Sequence, residues 1–176
     1  MTYEKIAVTG GAGLLGNHVV KLLSNHAAVT SIDINKPVAQ NRLPVKFIEA
    51  SITNFEEMKN ALRGHDALIH LAAIPNPREA SLELTFNTNV QGAWTVMQAA
   101  EEVGIKRVVV ASSDSVFGLS YNPPDWKPRF LPVDETHATR PTEVYSLSKK
   151  VTEAIAESFA ARQNMEVISI RPCHII

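Results

Sequence analysis

A single cysteine, Cys173, in 176 residues rules out an internal disulfide framework and fits a reducing compartment. Its apolar neighbours point to a buried thiol and not to a nucleophile. Charge of either sign is not in excess: 17 Lys and Arg against 18 Asp and Glu leave a net charge of −1, with a pI near 6.6. No global field then draws the chain to nucleic acid or to anionic lipid, which argues against either partner. Long apolar runs are missing too; none approaches the roughly 18 residues that cross a bilayer. Met1-Thr2-Tyr3-Glu4-Lys5 leads directly into a strand-like segment and does not read as a secretory signal. The expectation is a cytoplasmic protein, and its 45% hydrophobic and 20% charged residues fit one well-buried globular domain.

What is present is alternation of strand-like and helical segments. Lys5–Val8, Ala28–Asp33, Val45–Glu49, Asp66–Leu71, Arg107–Ser112 and Glu166–Arg171 read as six strands. Between them, helices are expected over Gly13–Asn25, from an Asn54 cap to Arg63 with Gly64 as the stop, over Ser81–Val103, and over Thr142–Arg162. In the third helix Phe86, Val90, Ala93, Trp94, Met97 and Ala100 recur three or four apart. Val144, Leu147, Val151, Ile155 and Phe159 do so in the fourth. The strands are near-continuous apolar runs, as when helices cover both faces. The pattern predicts an α/β fold, a doubly wound parallel six-stranded sheet of the Rossmann kind. Residues 118–141 carry five prolines and no regular element; a loop of that length in a compact domain is more often functional than idle. Tyr121, Trp126 and Arg129 in it could touch a substrate, and a proline-stiffened surface loop is the equal alternative.

Gly10, Gly13 and Gly16 lie three apart between the first strand and the first helix. The first gap is one residue wider than in the common dinucleotide fingerprint, but the chemistry is shared. Gly10 permits the tight turn, Gly13 lets backbone N–H groups approach a pyrophosphate, and Gly16 allows close helix packing. The helix N-terminus adds unpaired donors and partial positive charge. Asp33 ends the second strand, where a carboxylate can accept from the adenosine ribose hydroxyls and repel a 2′-phosphate. NAD is therefore expected over NADP, with Lys36 and Arg42 as the residues that weaken the preference.

Tyr145 and Lys149 stand at i and i+4, neighbours on one helix face. A phenol of pKa about 10 is a poor base at neutral pH, but a nearby ammonium and a positive nicotinamide ring favour the phenolate. Tyr145 could then take a proton from a substrate hydroxyl as hydride leaves the same carbon, and Lys149 could also hold the nicotinamide ribose. Ser113, just beyond the fifth strand, sits on the carboxyl edge where ligands of such sheets bind and could orient the reacting oxygen.

These motifs resemble the extended short-chain dehydrogenase/reductase family, in its NAD-dependent epimerase/dehydratase branch. They run in order as Thr-Gly-Gly-Ala-Gly-Leu-Leu-Gly (9–16), Asp33, His-Leu-Ala-Ala (70–73), Asn89-Val-Gln-Gly, Ser112-Ser113-Asp-Ser-Val-Phe-Gly118, Tyr145-x-x-x-Lys149 and Arg171-Pro172. The resemblance implies a catalytic Ser113, Tyr145 and Lys149 with Asn89 in support. It also implies a cofactor cleft lined by Gly10, Gly13, Leu14, Leu15, Gly16, Asp33, Ser51, Ile52, Leu71, Ala72, Ala73, Asn89, Ser112, Tyr145 and Lys149. His70 reads as a structural partner, and no histidine cluster suggests a metal. Ser51-Ile52-Thr53 replaces the stretch where the family usually has an aspartate near adenine, and Phe117 replaces a tyrosine.

The family's sequences continue past Arg171-Pro172 into a substrate-binding region, so residues 1–176 are expected to be the NAD-binding domain alone. Two readings stay open. One is an enzyme acting on a sugar or nucleotide sugar as an epimerase, dehydratase or uronate-type dehydrogenase. The other is a non-catalytic NAD-binding module, either a natural short form or a piece of a longer protein that lacks the substrate-binding half. The resemblance also implies a homodimer paired through the helices over 81–103 and 142–162.

Overall fold

The computed structural model describes residues 4–37, 44–120 and 125–173. Six parallel strands form one sheet in the order β3-β2-β1-β4-β5-β6: β1 (Lys5–Thr9), β2 (Ala28–Asp33), β3 (Lys46–Glu49), β4 (Ala67–His70), β5 (Arg107–Ala111) and β6 (Glu166–Ile170). Strand order reverses between β1 and β4, and the crevice for ligands in such sheets opens there, at the carboxyl ends. Register brings Thr9 beside Ile32 on one side and His70 on the other, with Val110 beside His70. The ends of four strands thus make one line of residues at the edge.

Local sequence explains the helices. α1 (Leu14–Leu23) starts at Gly13, which has no side chain to cap it. α2 (Phe55–Leu62) begins where Asn54 Oδ1 accepts the Glu57 N–H at 3.2 Å, and Gly64 follows it with φ +75°. The helix expected over 81–103 starts at Ser81, whose Oγ accepts the Leu84 N–H at 3.2 Å. It is not uniform, however: α3 (Leu82–Phe86) passes through a π turn at Asn87–Gln91 into α4 (Gly92–Glu102). α5 (Val144–Ala161) is capped by a side chain that its sequence pattern did not mark, Glu143, whose carboxylate accepts the Tyr145 and Ser146 N–H groups at 2.6 and 2.7 Å.

The core lies on the sheet under α2, α4 and α5, with Ile32, Met58, Leu62, Leu68, Val96, Met97, Val108 and Phe159 fully enclosed. Two expectations, a covered sixth strand and a buried Cys173, are corrected here, and the helix stripes divide into buried and exposed members. The α5 stripe is split: Phe159 is buried and Ile155 packs against this core, whereas Leu147 is 44% exposed. The face turned inward is Ser146, Ser148, Lys149, Thr152, Glu153, Ala156 and Phe159. In α3 and α4 likewise, Phe86 and Trp94 are exposed while Ala93, Met97 and Ala100 are buried. Edge strand β6 is not covered on both faces, leaving Ile168 and Ile170 exposed, and Cys173 beyond it is an exposed thiol and not a buried one. An edge strand has one neighbour, so an apolar run there does not imply two covered faces. No helix among the described residues is long and apolar enough to cross a membrane.

Candidate active site

The glycine turn is packed to its limit. Gly10 adopts φ +74°, and a Cβ on it would stand 2.6 Å from the Ala72 nitrogen. A Cβ on Gly16 would stand 1.9 Å from the Gly10 carbonyl oxygen. The helix therefore closes on the turn itself, a tighter constraint than the helix–sheet packing expected. Gly11, which the spacing did not single out, is just as constrained, its Cβ position lying 2.3 Å from Ser31 Oγ. The turn is tied to β2 by Gly10 N–H donating to Ile32 O at 2.8 Å. With no side chain over the α1 N-terminus, the N–H groups of Leu14, Leu15 and Gly16 lie in the first helical turn, where intrahelical partners are lacking.

Asp33, at the carboxyl end of β2, serves this turn: Oδ2 accepts the Ala12 N–H and Oδ1 the Asn35 N–H, both at 3.1 Å. Lys36 pairs at 3.3 Å with Glu49, the neighbour of Asp33 across β2 and β3; Arg42 lies outside the described residues. Next along the edge, Ser51 Oγ bonds Thr53 Oγ1 at 2.9 Å and Ile52 is buried. Gly92 is what lets α4 come down on Ile52, since a Cβ there would meet its Cδ1 at 2.5 Å.

Leu71, Ala72 and Ala73 run over the switch point, Leu71 N–H donating to Thr9 O at 3.1 Å. Asn89, buried in the π turn, brackets this segment. Its Oδ1 accepts the Ile74 N–H at 2.8 Å, while Nδ2 donates to Ile74 O at 3.1 Å and to Ser148 Oγ at 3.0 Å. It thereby joins the segment after β4 to the first turns of α5. His70 is buried with Nδ1 2.7 Å from Thr9 Oγ1. Burial, aided by the Lys149 charge, pulls its pKa down to about 3, so it is a neutral partner of Thr9.

Lys149 enters this region from α5. Its Nζ donates to Ala111 O at 2.8 Å and lies 5.9 Å from the centre of the Tyr145 ring. Burial lowers the ammonium to about 8, leaving it mainly charged at neutral pH. Ser113 caps the 3₁₀ turn at Asp114–Phe117, its Oγ accepting the Ser115 N–H at 3.1 Å. Ser112 is different: its hydroxyl is buried and donates to Glu153 Oε1 at 2.6 Å, so what it offers the cleft is main chain.

Glu153 was not marked by any motif, although it follows Lys149 by one helical turn. Its carboxylate also receives Arg171 through Nε and Nη2 at 2.7 and 2.9 Å and Lys150 at 3.1 Å. Burial pushes the carboxyl up, but the bonds from Arg171, Ser112 and Lys150 prevail and hold it at about 2. Arg171 in turn lies over the Phe117 ring at 4.8 Å. The ends of β5 and β6, α5 and the 3₁₀ turn are thus clamped behind Ser113.

The proline-rich loop closes at its base, where Arg140 N–H donates to Val116 O at 2.9 Å and Gly118 takes φ +67°. Buried His137 pins it: Nδ1 donates to Ala138 O, Nε2 accepts the Arg129 N–H at 3.0 Å, and the rings of Phe117 and Phe130 lie against it. Trp126 stacks on Arg140 at 4.0 Å, and Tyr121 lies outside the described residues. Among the described residues no cluster of three His, Cys, Asp or Glu side chains could hold a metal.

Sheet, glycine turn and Tyr–Lys helix define a dinucleotide-binding α/β protein of the short-chain dehydrogenase/reductase type. The chain belongs to the NAD dependent epimerase/dehydratase family, whose model matches residues 6–176. It is 32% identical over 173 residues to L-arabinose 1-dehydrogenase (NAD(P)(+)) of Haloferax volcanii, covering 95% of this chain and 65% of that protein. It is 31% identical to a putative UDP-glucose 4-epimerase of Methanocaldococcus jannaschii, covering 94% and 54%. A short-chain dehydrogenase/reductase superfamily protein from Agrobacterium tumefaciens, crystallised with bound NAD, superposes with a TM-score of 0.82 at 29% identity, over 96% of this chain and 48% of that one. The chain thus spans about half to two thirds of the length of these relatives. NAD is the family's cofactor, and the site fits it: the cradle that a Cβ at Gly10 or Gly16 would fill leaves backbone donors at the uncapped end of α1.

Proposed function

We propose that this protein is an NAD-dependent oxidoreductase acting on a sugar or nucleotide sugar, by chemistry of the epimerase, dehydratase or uronate dehydrogenase kind. Residues 1–176 are taken as its NAD-binding domain. The observation that carries the reading is Lys149, an ammonium buried beside the Tyr145 ring at the carboxyl edge of the sheet. Such a charge favours the phenolate, and Tyr145 is then the base that takes the proton of the sugar hydroxyl. Ser113 donates to the oxygen that is being deprotonated, and Lys149 holds the nicotinamide ribose. Asn89 acts through Ser148 and the main chain of Ile74, and is a positioning residue. NAD, when bound, supplies the hydride acceptor.

For the cofactor, the Gly10–Gly16 turn with the Leu14 and Leu15 amides takes the pyrophosphate, and Asp33 takes the adenosine ribose. Ser51 and Ile52 flank the adenine, and Leu71, Ala72, Ala73 and the Ser112 main chain border the nicotinamide half. Exposed Phe86, Trp94 and Leu147 on helices that pack together support a homodimer through that face. A cytoplasmic location rests on the lone cysteine.

The deciding experiment is Tyr145→Phe in the full-length protein. It should bind NAD as the parent does while sugar-dependent NADH formation falls by at least roughly a hundredfold. Retained turnover would remove Tyr145 as the base, and NAD binding without turnover in the parent, over a panel of sugars and nucleotide sugars, would favour the non-catalytic module.

A further inference from the structure

At the opposite edge of the sheet lies a cavity of about 550 Å³ that the oxidoreductase reading does not use. It is framed by the amino ends of β1, β2 and β3, three adjacent strands, and by the turn between α2 and β4. β1 separates it from the glycine turn by about 13 Å, at about 3.3 Å per residue from Lys5 to Thr9.

The charge of its wall is one-sided. The described residues that line it include Lys5, Lys46, Arg63 and His65, and none of them is Asp or Glu. The lining thus carries three fixed positive charges, with Glu4 and Asp66 flanking it in the chain. Among the described residues, no carboxylate is paired with Lys5, Lys46 or Arg63. Asp66, which follows His65 in the chain, turns one oxygen to the N–H groups of Glu4 and Lys5 at 3.1 and 2.9 Å. His65 is fixed in the wall: Nδ1 donates to Leu62 O at 3.2 Å and Nε2 lies 2.8 Å from Thr30 Oγ1. Burial holds its imidazole below the usual value; the Leu62 bond and Asp66 oppose this, while the Lys46 and Lys5 charges add to it. At Gly64 the space beside the backbone is open.

We propose that this cavity is a second ligand site, for a phosphate group, either free or carried by a small metabolite. Three unpaired cations match a dianion better than a single carboxylate, and the Arg63 guanidinium offers the planar fork that phosphate oxygens accept. The volume lies in the range of small-molecule sites and exceeds what a bare phosphate fills. The remaining wall is mainly small apolar side chains, suited to a short carbon skeleton. Ligand at the amino ends of β1 and β2 would bear on the same strands whose carboxyl ends hold Gly10 and Asp33.

The test is calorimetry on the full-length protein saturated with NAD, so that the cofactor's own phosphate cradle is filled. The probes are 3-phosphoglycerate, inorganic phosphate and glycerate. Phosphoglycerate should bind at least roughly tenfold more tightly than glycerate. Lys46→Gln with Arg63→Gln should weaken it by at least roughly tenfold with NAD affinity unchanged, and Arg63→Lys, which keeps the charge and loses the fork, should fall between the parent and the double variant. Inorganic phosphate equal to phosphoglycerate identifies the free ion as the ligand; weaker binding identifies the phosphorylated metabolite. No binding of either phosphate, equal binding of glycerate, or unchanged affinity in the double variant would overturn the proposal.

Discussion

Glu153→Gln isolates the clamp behind the active site, because it keeps the shape of the side chain and removes its charge. The native carboxyl sits at about 2 where an ordinary glutamic acid sits at 4.5. At about 1.4 kcal/mol per tenfold change in proton affinity, the ionised form is favoured in the fold by about 3 kcal/mol. Removal of one partner of a buried pair costs about 3–5 kcal/mol, but the Arg171 side chain keeps 20% of its surface and Lys150 35%. Part of the orphaned charge is thus hydrated, and a loss of about 3 kcal/mol at pH 7 is expected. The pH dependence follows from the sign. The folded pKa lies below the unfolded one, so the contribution is complete above pH 4.5 and is lost as pH falls toward 2. Urea unfolding, followed by the fluorescence of Trp94 and Trp126, measures the difference between parent and variant. It should be largest near neutrality and shrink steadily below pH 4.5. A difference under about 0.5 kcal/mol at pH 7, the size of an ordinary surface change, would refute the reasoning, as would a difference that does not vary with pH.

Gly16→Ala places a methyl group 1.9 Å from the Gly10 carbonyl oxygen and should weaken NAD binding by at least roughly tenfold in calorimetry, while circular dichroism shows the helices retained. Asp33→Ala should narrow the preference for NAD over NADP in parallel titrations; an unchanged ratio would take the ribose role from Asp33. Leu147→Asp puts a charge on the exposed face shared with Phe86 and Trp94, and light scattering should show a dimer becoming a monomer with the fold intact.

Element type and order were legible in the chain because apolar runs, caps and glycine stops act locally: Asn54, Ser81 and Gly64 do in space what their positions imply. The motifs of the site were legible for the same reason. A turn needing φ above zero, or a helix end without a capping side chain, must be written at that position in the chain. Burial was less so. Ile168 and Cys173 were read as interior, and the helix stripes did not tell exposed Leu147 and Phe86 from their buried members, because an apolar residue has the same local signature at a core, an edge or a partner-facing surface.

Sequence by itself determined the doubly wound sheet, the glycine turn and the spacing of Tyr145 and Lys149. Only the tertiary structure decided that α5 turns Lys149, Ser148 and Glu153 inward beside Phe159 and leaves Leu147 of its apolar stripe outside. It likewise decided that Asn89 and Glu153 brace the site from behind, and that Lys5, Lys46 and Arg63 line one cavity. These residues come from distant parts of the chain, and their charges and hydrogen bonds acquire strength only when packing brings them together and removes water.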